Sequence, residues 1–209
     1  MANIIKLLVI AAVIYLAACA LYFLFKRLFM LIRLYGLKRE CNAKITLHCV
    51  PILPFHARGG KPDITVEILD TVYHIRLYSG IFGNRYVHFV DERYSVVYKR
   101  VRAMVMPSRA AARMPGHVRL SYSSGGRVRV LPVMNKILCE GKREVSVILF
   151  SPAPYEVSYV TEQRSKIKLA FTGDELYGYK IFTPSTFVIY ADREMRREAE
   201  EKKSQNNWV

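Results

Sequence analysis

The chain opens with an unbroken apolar run before its pattern changes to alternating apolar and polar positions. Residues 7–25, LLVIAAVIYLAACALYFLF, contain 19 residues and no charge. As a helix with a 1.5 Å rise per residue, the run is ~28 Å long, about the thickness of one hydrocarbon core. A helix satisfies its own backbone hydrogen bonds, so it is stable in lipid without a partner. The pattern therefore predicts a transmembrane α-helix within an anchor at 1–27.

Two kinds of cleaved N-terminal signal peptide are the alternatives to this uncleaved anchor. LAAC, Leu16 to Cys19, resembles a bacterial lipobox in which Cys19 would be acylated, but the ALYFLF that follows stays apolar where a mature lipoprotein turns polar. A secretory signal has a shorter apolar core of ~7–15 residues and a small-residue cleavage site. An uncleaved single-pass helix fits the length and the bulky end of the run better.

The charges on either side of the run predict its orientation. Only Lys6 and the terminal amine precede it, whereas residues 26–44 carry six Lys or Arg against Glu40. Since cytoplasmic flanks carry the excess of bases, we expect the N-terminus outside the cell membrane and the C-terminal part in the cytoplasm. Residues 28–43, apolar but interrupted by Arg33, predict a juxtamembrane amphipathic helix or linker.

From residue 44 the apolar positions recur every second residue, which is typical of half-buried strands. Such segments are ITVEIL at 64–69, YHIRL at 73–77, HVRLSY at 117–122, RVRVL at 127–131 and KIKLAF at 166–171. VSVILF at 145–150 and TFVIYA at 186–191 are apolar on both faces, as central strands are. Turn signals recur between them, so 44–191 is predicted to be an all-β domain, a sandwich or barrel of roughly 8–10 strands.

The end of the chain changes pattern again. Residues 192–209 are rich in charged helix formers and lack an apolar stripe. They predict a short, solvated C-terminal helix or tail in which Glu198 and Lys202 are spaced at i,i+4.

The net charge and its distribution along the chain indicate which class of partner the protein binds. The formal net charge is +15, and residues 98–136 hold nine Lys or Arg with no Asp or Glu. If 117–122 and 127–131 form a hairpin, matching Leu120 to Val130 places Arg119 opposite Arg129 on the outer face, where like charges repel. An anion covering this face would relieve the repulsion. The predicted anion-binding residues are Lys99, Arg100, Arg102, Arg119, Arg127 and Arg129.

The alternative for this basic stretch is a solvated face that acids elsewhere in the chain partly neutralise. Charge runs are usually solvated in this way. The candidate acids are Glu67, Glu156 and Glu162.

No catalytic motif stands out. His88 and Asp91 are three residues apart and would lie on opposite faces of a strand, so we expect an exposed histidine beside a turn acid. Cys139 and His117 would be a nucleophile and a base only if the fold brought them together.

Metal and redox chemistry are equally unsupported. The four residues Cys41, His48, Cys49 and His56 match no common zinc spacing. We expect no catalytic residue, metal or cofactor. Outside the apolar run three cysteines remain, an odd number without a C-x-x-C pair, which favours reduced thiols in the cytoplasm.

These observations predict a single-pass membrane-anchored binding or scaffolding protein. Its basic cytoplasmic β domain would engage an anionic partner: a membrane surface, an anionic lipid or an acidic protein. Nucleic acid is a weaker candidate because no known nucleic-acid motif is present. The alternative is a membrane-bound enzyme that acts on an anionic lipid or polymer, with a site assembled from distant residues.

Overall fold

A computed structural model describes residues 2–51, 56–78, 86–98, 101–103, 120–122, 127–131, 134, 140–160 and 167–206. Two helices bracket the described elements, α1 (Ala2–Glu40) and α2 (Pro184–Asn206). The strands between them are β1 (Lys44–Leu47), β2 (Ile64–Ile68), β3 (Thr71–Tyr78), β4 (Tyr86–Phe89), β5 (Tyr94–Tyr98), β6 (Val101–Ala103), β7 (Leu120–Tyr122), β8 (Arg127–Val130), β9 (Arg143–Phe150), β10 (Glu156–Val160), β11 (Ile167–Ala170), β12 (Glu175–Leu176) and β13 (Tyr179–Phe182).

The described strands form two larger sheets and one small one. The first has the order β1-β2-β3-β9-β13-β12, the second β11-β10-β4-β5-β8, and β6 pairs with β7 alone. β9 pairs in parallel with both β3 and β13, and β10 pairs in parallel with β4, so both larger sheets are mixed. The chain divides into two compact units: 1–83, 132–153 and 171–209 form the first, and 84–131 and 154–170 the second.

The predicted architecture is confirmed at its coarser level. The chain has a long N-terminal apolar helix, a mostly β body with 11 strands in the two mixed sheets, and a C-terminal helix. The predicted strands at 64–69, 73–77, 127–131 and 166–171 all occur, and Leu120–Tyr122 falls within the predicted 117–122. β9 is a central strand whose last four residues are buried on both faces, as its composition predicts.

Helix α1 is continuous through Glu40, and its two halves have different surroundings. From Ile4 to Phe25 almost every large apolar side chain is exposed, and the helix is long and apolar enough to span a membrane. In the second half Met30, Leu34 and Leu37 are fully buried, at spacings of four and three residues. They join the core formed by one face of the first sheet and by α2, so this half of α1 is a core element of the first unit.

The predicted strand at 186–191 is wrong, because this segment is the first part of α2. Thr183 and Thr186 cap the helix reciprocally: the Thr183 N–H donates to Thr186 Oγ1 at 2.9 Å, and the Thr186 N–H donates to Thr183 Oγ1 at 3.4 Å. Pro184 occupies the first helical position, where its missing N–H costs nothing. Phe187 and Ala191 are both fully buried against the first sheet.

The rest of α2 is a mostly exposed helix, as predicted, and it is also linked to the first unit by side-chain contacts. Thr71 Oγ1 donates a hydrogen bond to Glu198 at 2.7 Å, and Lys202 pairs with Asp70 on the β2–β3 turn. Arg143 lies 3.4 Å from Glu194. These contacts depend on the turn and on β9 being brought next to α2, which the helical sequence does not show.

Candidate functional site around Asp63

Half of the predicted anion-binding residues, Lys99, Arg100 and Arg119, lie outside the described residues. Arg102 is on β6 and Arg127 on β8, but their side chains are also outside the described part. Arg129 on β8 is half-buried. Whether these six residues form one anion-binding face therefore stays a prediction.

The hairpin from which this face was argued is not formed by the described strands. β8 pairs with β5, and β7 pairs with β6. Arg129 consequently lies opposite the fully buried Ser95, while Val128 and Val130 are 67% and 62% exposed. The two valines of β8 that were predicted to face the core are therefore exposed, and Arg129, predicted on the outer face, is half-buried.

The acid Glu67 pairs with two lysines of the first unit. Its carboxylate lies 3.4 Å from Lys44 Nζ and 3.0 Å from Lys142 Nζ. These hydrogen bonds and charges lower the pKa of Glu67, the one from Lys142 most strongly. Glu162 lies outside the described residues, and Glu156 begins β10.

A polar group in the described part of the first unit surrounds Asp63, immediately before β2. Asp63 is fully buried and accepts four hydrogen bonds. Oδ1 accepts from the Ala57 N–H at 2.7 Å and from Arg76 Nη1 at 3.1 Å. Oδ2 accepts from the Leu77 N–H at 2.8 Å and lies 2.9 Å from His56 Nδ1. The carboxylate thus joins the 56–63 segment to β3.

The donors determine the charge state of this carboxyl. Burial alone would raise the pKa of Asp63, but the hydrogen bonds from His56, Ala57 and Leu77 and the charge of Arg76 lower it overall. Since an ionised carboxylate only accepts hydrogen bonds, Nδ1 of His56 is the donor. When the His56 ring is neutral, its lone pair is therefore on Nε2.

The Asp63 group also explains why β3 is buried on both faces. The alternating pattern predicts that His74 and Arg76 face solvent, yet they are 3% and 0% exposed. The 56–63 segment returns to this face, where Asp63 binds Arg76. A buried guanidinium requires such a partner, because an unpaired buried charge is costly.

His48 and Cys49 also contact residues at the start of β2. The backbone N–H of His48 donates to the Asp63 carbonyl at 3.0 Å, and the ring Nε2 of His48 lies 3.0 Å from Thr65 Oγ1. The Cys49 thiol lies 3.7 Å from the Asp63 carbonyl oxygen. Burial, together with the charge of Asp63, raises the pKa of Cys49 to about 11, so the thiol is protonated near neutral pH.

Helix α1 reaches this group through Arg27. This residue is 2% exposed, and its charge acts on both Asp63 and Cys49. Arg27 continues the stripe of Met30, Leu34 and Leu37 towards the N-terminus, and its guanidinium lies 5.4 Å from the centre of the Phe23 ring. The end of the apolar run and the Asp63 group are therefore adjacent.

The four Cys and His residues tested as a zinc set have separate roles. Cys41 lies in the apolar core, whereas His48, Cys49 and His56 each bind a different atom near Asp63. Within the described ranges no three His, Cys, Asp or Glu residues are grouped so that they could hold a metal ion. Cys139 and His117 lie outside those ranges.

The prediction of an exposed His88 is wrong. β10 pairs in parallel with β4, which places Ser158 beside His88 at the centre of the second sheet. His88 is 8% exposed, its Nδ1 lies 3.0 Å from Ser158 Oγ, and burial lowers its pKa. Asp91 is a turn acid as expected, and it accepts hydrogen bonds from the Arg93 and Tyr94 N–H groups.

Comparisons with known proteins identify no relative: no protein family, curated protein or solved structure matches this chain. Function must therefore be inferred from the chain's own residues and geometry. Sequence reasoning missed Asp63 because its partners are spread over 56–77. The weak signal was an acid placed directly before a strand, opposite an arginine in the next strand.

Proposed function

We propose that this protein is a single-pass membrane protein that binds or scaffolds an anionic partner at the cytoplasmic surface of the cell membrane. The continuity of α1 supports this function. The same helix has an exposed apolar half and a half that belongs to the core of the first unit. A domain built around the end of its own anchor is held at the membrane surface.

The distribution of charge supports an anionic partner. The second unit contains thirteen Lys or Arg and four Asp or Glu, a net +9 of the chain's +15. Each base near an anionic surface contributes ~1 kcal/mol of attraction. Such a concentration of one sign also raises the rate at which anionic partners associate.

Cysteine labelling of intact cells tests the orientation. The native Cys49 is a poor reporter, since a pKa of about 11 leaves little thiolate to react. Two exposed positions are better, Asn3→Cys and Ser204→Cys. An impermeant maleimide should label Asn3→Cys in intact cells and Ser204→Cys only after permeabilisation, with the unsubstituted chain as background. The reverse pattern would refute the proposed topology.

Binding is tested with the full chain in nanodiscs of zwitterionic lipid. Vesicles that contain phosphatidylserine should bind, and rising salt should release them because exposed charges are screened within ~8 Å at physiological ionic strength. Replacing Lys99, Arg100, Arg102 and Arg119 by Gln should weaken binding at least about tenfold. The matched control replaces four exposed bases of the first unit, Lys38, Arg39, Arg193 and Lys203. Equal losses in both variants would mean that net charge alone, and no particular face, attracts the vesicles.

The alternative function is a membrane-bound enzyme that acts on an anionic lipid or polymer. The observation in its favour is the His56–Asp63 pair, in which a buried carboxylate orients an imidazole through Nδ1 and leaves Nε2 as the ring nitrogen that would serve as a base. The neighbouring Cys49 is a poor nucleophile because its thiol is protonated near neutral pH. The binding function has the stronger support, because it does not require a nucleophile.

A further inference from the structure

The described residues 47–51 and 56–62 lie near the point where α1 leaves its apolar run. Arg27 is two residues beyond Phe25, the end of that run, and interacts electrostatically with Asp63 and Cys49. After α1 ends, the Cys41 N–H donates to the Leu37 carbonyl, and the chain reverses into β1. The thirteen helical residues back from Glu40 to Arg27 span ~20 Å. The chain from Ala43 through β1 to Cys49 reaches at most a similar ~20 Å.

The exposed side chains in the described parts of this segment, 47–51 and 56–62, are mainly apolar or basic. Leu47 and Val50 are 38% and 59% exposed, and Arg58 and Lys61 are exposed as well. No Asp or Glu occurs between Glu40 and Asp63. Asp63 itself is fully buried and bound to Arg76 and His56, so its carboxylate is not presented to solvent.

The described parts of the segment are also held in place. The Ala57 N–H and His56 bind the Asp63 carboxylate, and the His48 N–H binds the Asp63 carbonyl. The bases and apolar residues are therefore presented from a backbone that is already ordered, which lowers the entropic cost of binding.

We propose that residues 47–51 and 56–62 form a docking surface for the anionic headgroups of the bilayer that α1 spans. Arg58 and Lys61 bind the headgroup phosphates and carboxylates, while Leu47 and Val50 contact the boundary between headgroups and acyl chains. This inference rests on the proposed membrane anchoring. It concerns a surface of the first unit, distinct from the basic stretch of the second.

The bilayer is favoured as the occupant by its position and by charge complementarity. The anchor keeps this surface beside lipid at all times, so no separate association step is needed. A combination of exposed apolar and basic side chains suits the interfacial layer, where one end of the contact is apolar and the other anionic. A second copy of the chain would present the same bases, and like charges would repel.

The experiment places a fluorescent reporter in the segment of the full chain. Val50→Trp is made in a Trp208→Phe background, and the protein is reconstituted in nanodiscs with equal amounts of phosphatidylserine and phosphatidylcholine. Lipids brominated near the headgroup should quench the introduced tryptophan. Brominated phosphatidylserine should quench about fivefold more than brominated phosphatidylcholine, or better, because each base near anionic lipid contributes about a fivefold preference.

Two controls make the result specific. Leu69→Trp, at the opposite end of β2 and 47% exposed in the wild type, should not be quenched. In the Val50→Trp background, Arg58→Gln with Lys61→Gln should remove the preference for phosphatidylserine. Arg193→Gln with Lys203→Gln, which removes the same charge from α2, should leave the preference unchanged.

Several results would overturn the proposal. An unquenched tryptophan in the Val50→Trp protein would show that the segment lies away from lipid. Quenching without a preference for phosphatidylserine, or a preference that survives loss of Arg58 and Lys61, would exclude anionic headgroup binding by these bases. A chain that does not span the membrane in the proposed orientation would be recognised separately. It would give a reversed or absent labelling pattern for Asn3→Cys and Ser204→Cys.

Discussion

At the scale of single residues, Asp63 has the greatest structural consequence of any acid in the described part of the first unit. Its carboxylate accepts two backbone N–H groups and two side-chain donors while fully buried. Arg76 is equally buried, so each charge offsets part of the cost of burying the other. Asp70 provides the contrast, since its pairing with Lys202 is on the surface.

We expect Asp63→Asn to destabilise the first unit by about 3–5 kcal/mol, because Arg76 would then be a buried charge without its carboxylate. The matched substitution Asp70→Asn should leave the melting temperature almost unchanged, because exposed ion pairs contribute little. Thermal unfolding of both variants in the same detergent measures the difference. Similar melting temperatures for the two variants would contradict the role assigned to Asp63.

The lowered pKa of Asp63 also predicts how stability depends on pH. A carboxyl whose pKa is lower in the folded than in the unfolded protein stabilises the fold above its unfolded pKa, near 3.9. That contribution is lost as the pH falls through the folded pKa. Melting temperatures measured from pH 6 to pH 2.5 should therefore fall more steeply below about pH 4 for the wild type than for Asp63→Asn. Parallel curves would contradict this assignment.

At the scale of elements, α1 is both the candidate anchor and a part of the core. Its stripe of Phe23, Arg27, Met30, Leu34 and Leu37 is buried at helical spacing, while neighbouring positions are exposed. The sequence between 28 and 43 indicated a juxtamembrane helix, but which side of it would be buried depended on the sheet it packs against.

We expect Leu34→Ala to destabilise the first unit by about 2–5 kcal/mol, since it removes a fully buried side chain from the core. Leu28→Ala on the same helix removes a side chain that is 48% exposed and should have a much smaller effect. Limited proteolysis and thermal melts in detergent test both variants. Equal effects would show that the second half of α1 is not a core element.

At the scale of the whole molecule, the helix that contains the candidate anchor also contributes to the core of the first unit. Met30, Leu34 and Leu37 cover one face of the first sheet together with α2. Removing them would expose part of a continuous apolar core to water, at ~25 cal/mol for each Å².

A chain beginning at Lys44 should therefore fail to fold, whereas one beginning at Lys26 should retain the described strands. Expression yield, circular dichroism and cooperative unfolding of the two truncated chains are the measurements. A cooperatively folded 44–209 chain would show that α1 is dispensable for the first unit.

Local patterns in the sequence determined much of this architecture. The uncharged run is long enough to span a bilayer whatever it packs against, and period-two alternation identified β2, β3, β8 and β11 because side chains on a strand alternate between faces. The same rule failed for 186–191, where the five apolar residues after Thr186 fit either a strand or a buried helix. The Thr183–Thr186 cap favours the helix.

Only the tertiary structure decided which strands pair and which polar residues meet. β8 pairs with β5. On this strand Val128 and Val130 are exposed and Arg129 is half-buried. Asp63, Arg76 and Arg27 come from three separate elements, and their proximity depends on the sheet and on the helix that packs against it. Periodicity reports which side of an element is apolar, whereas strand pairing and long-range ion pairs depend on contacts between residues far apart in the chain.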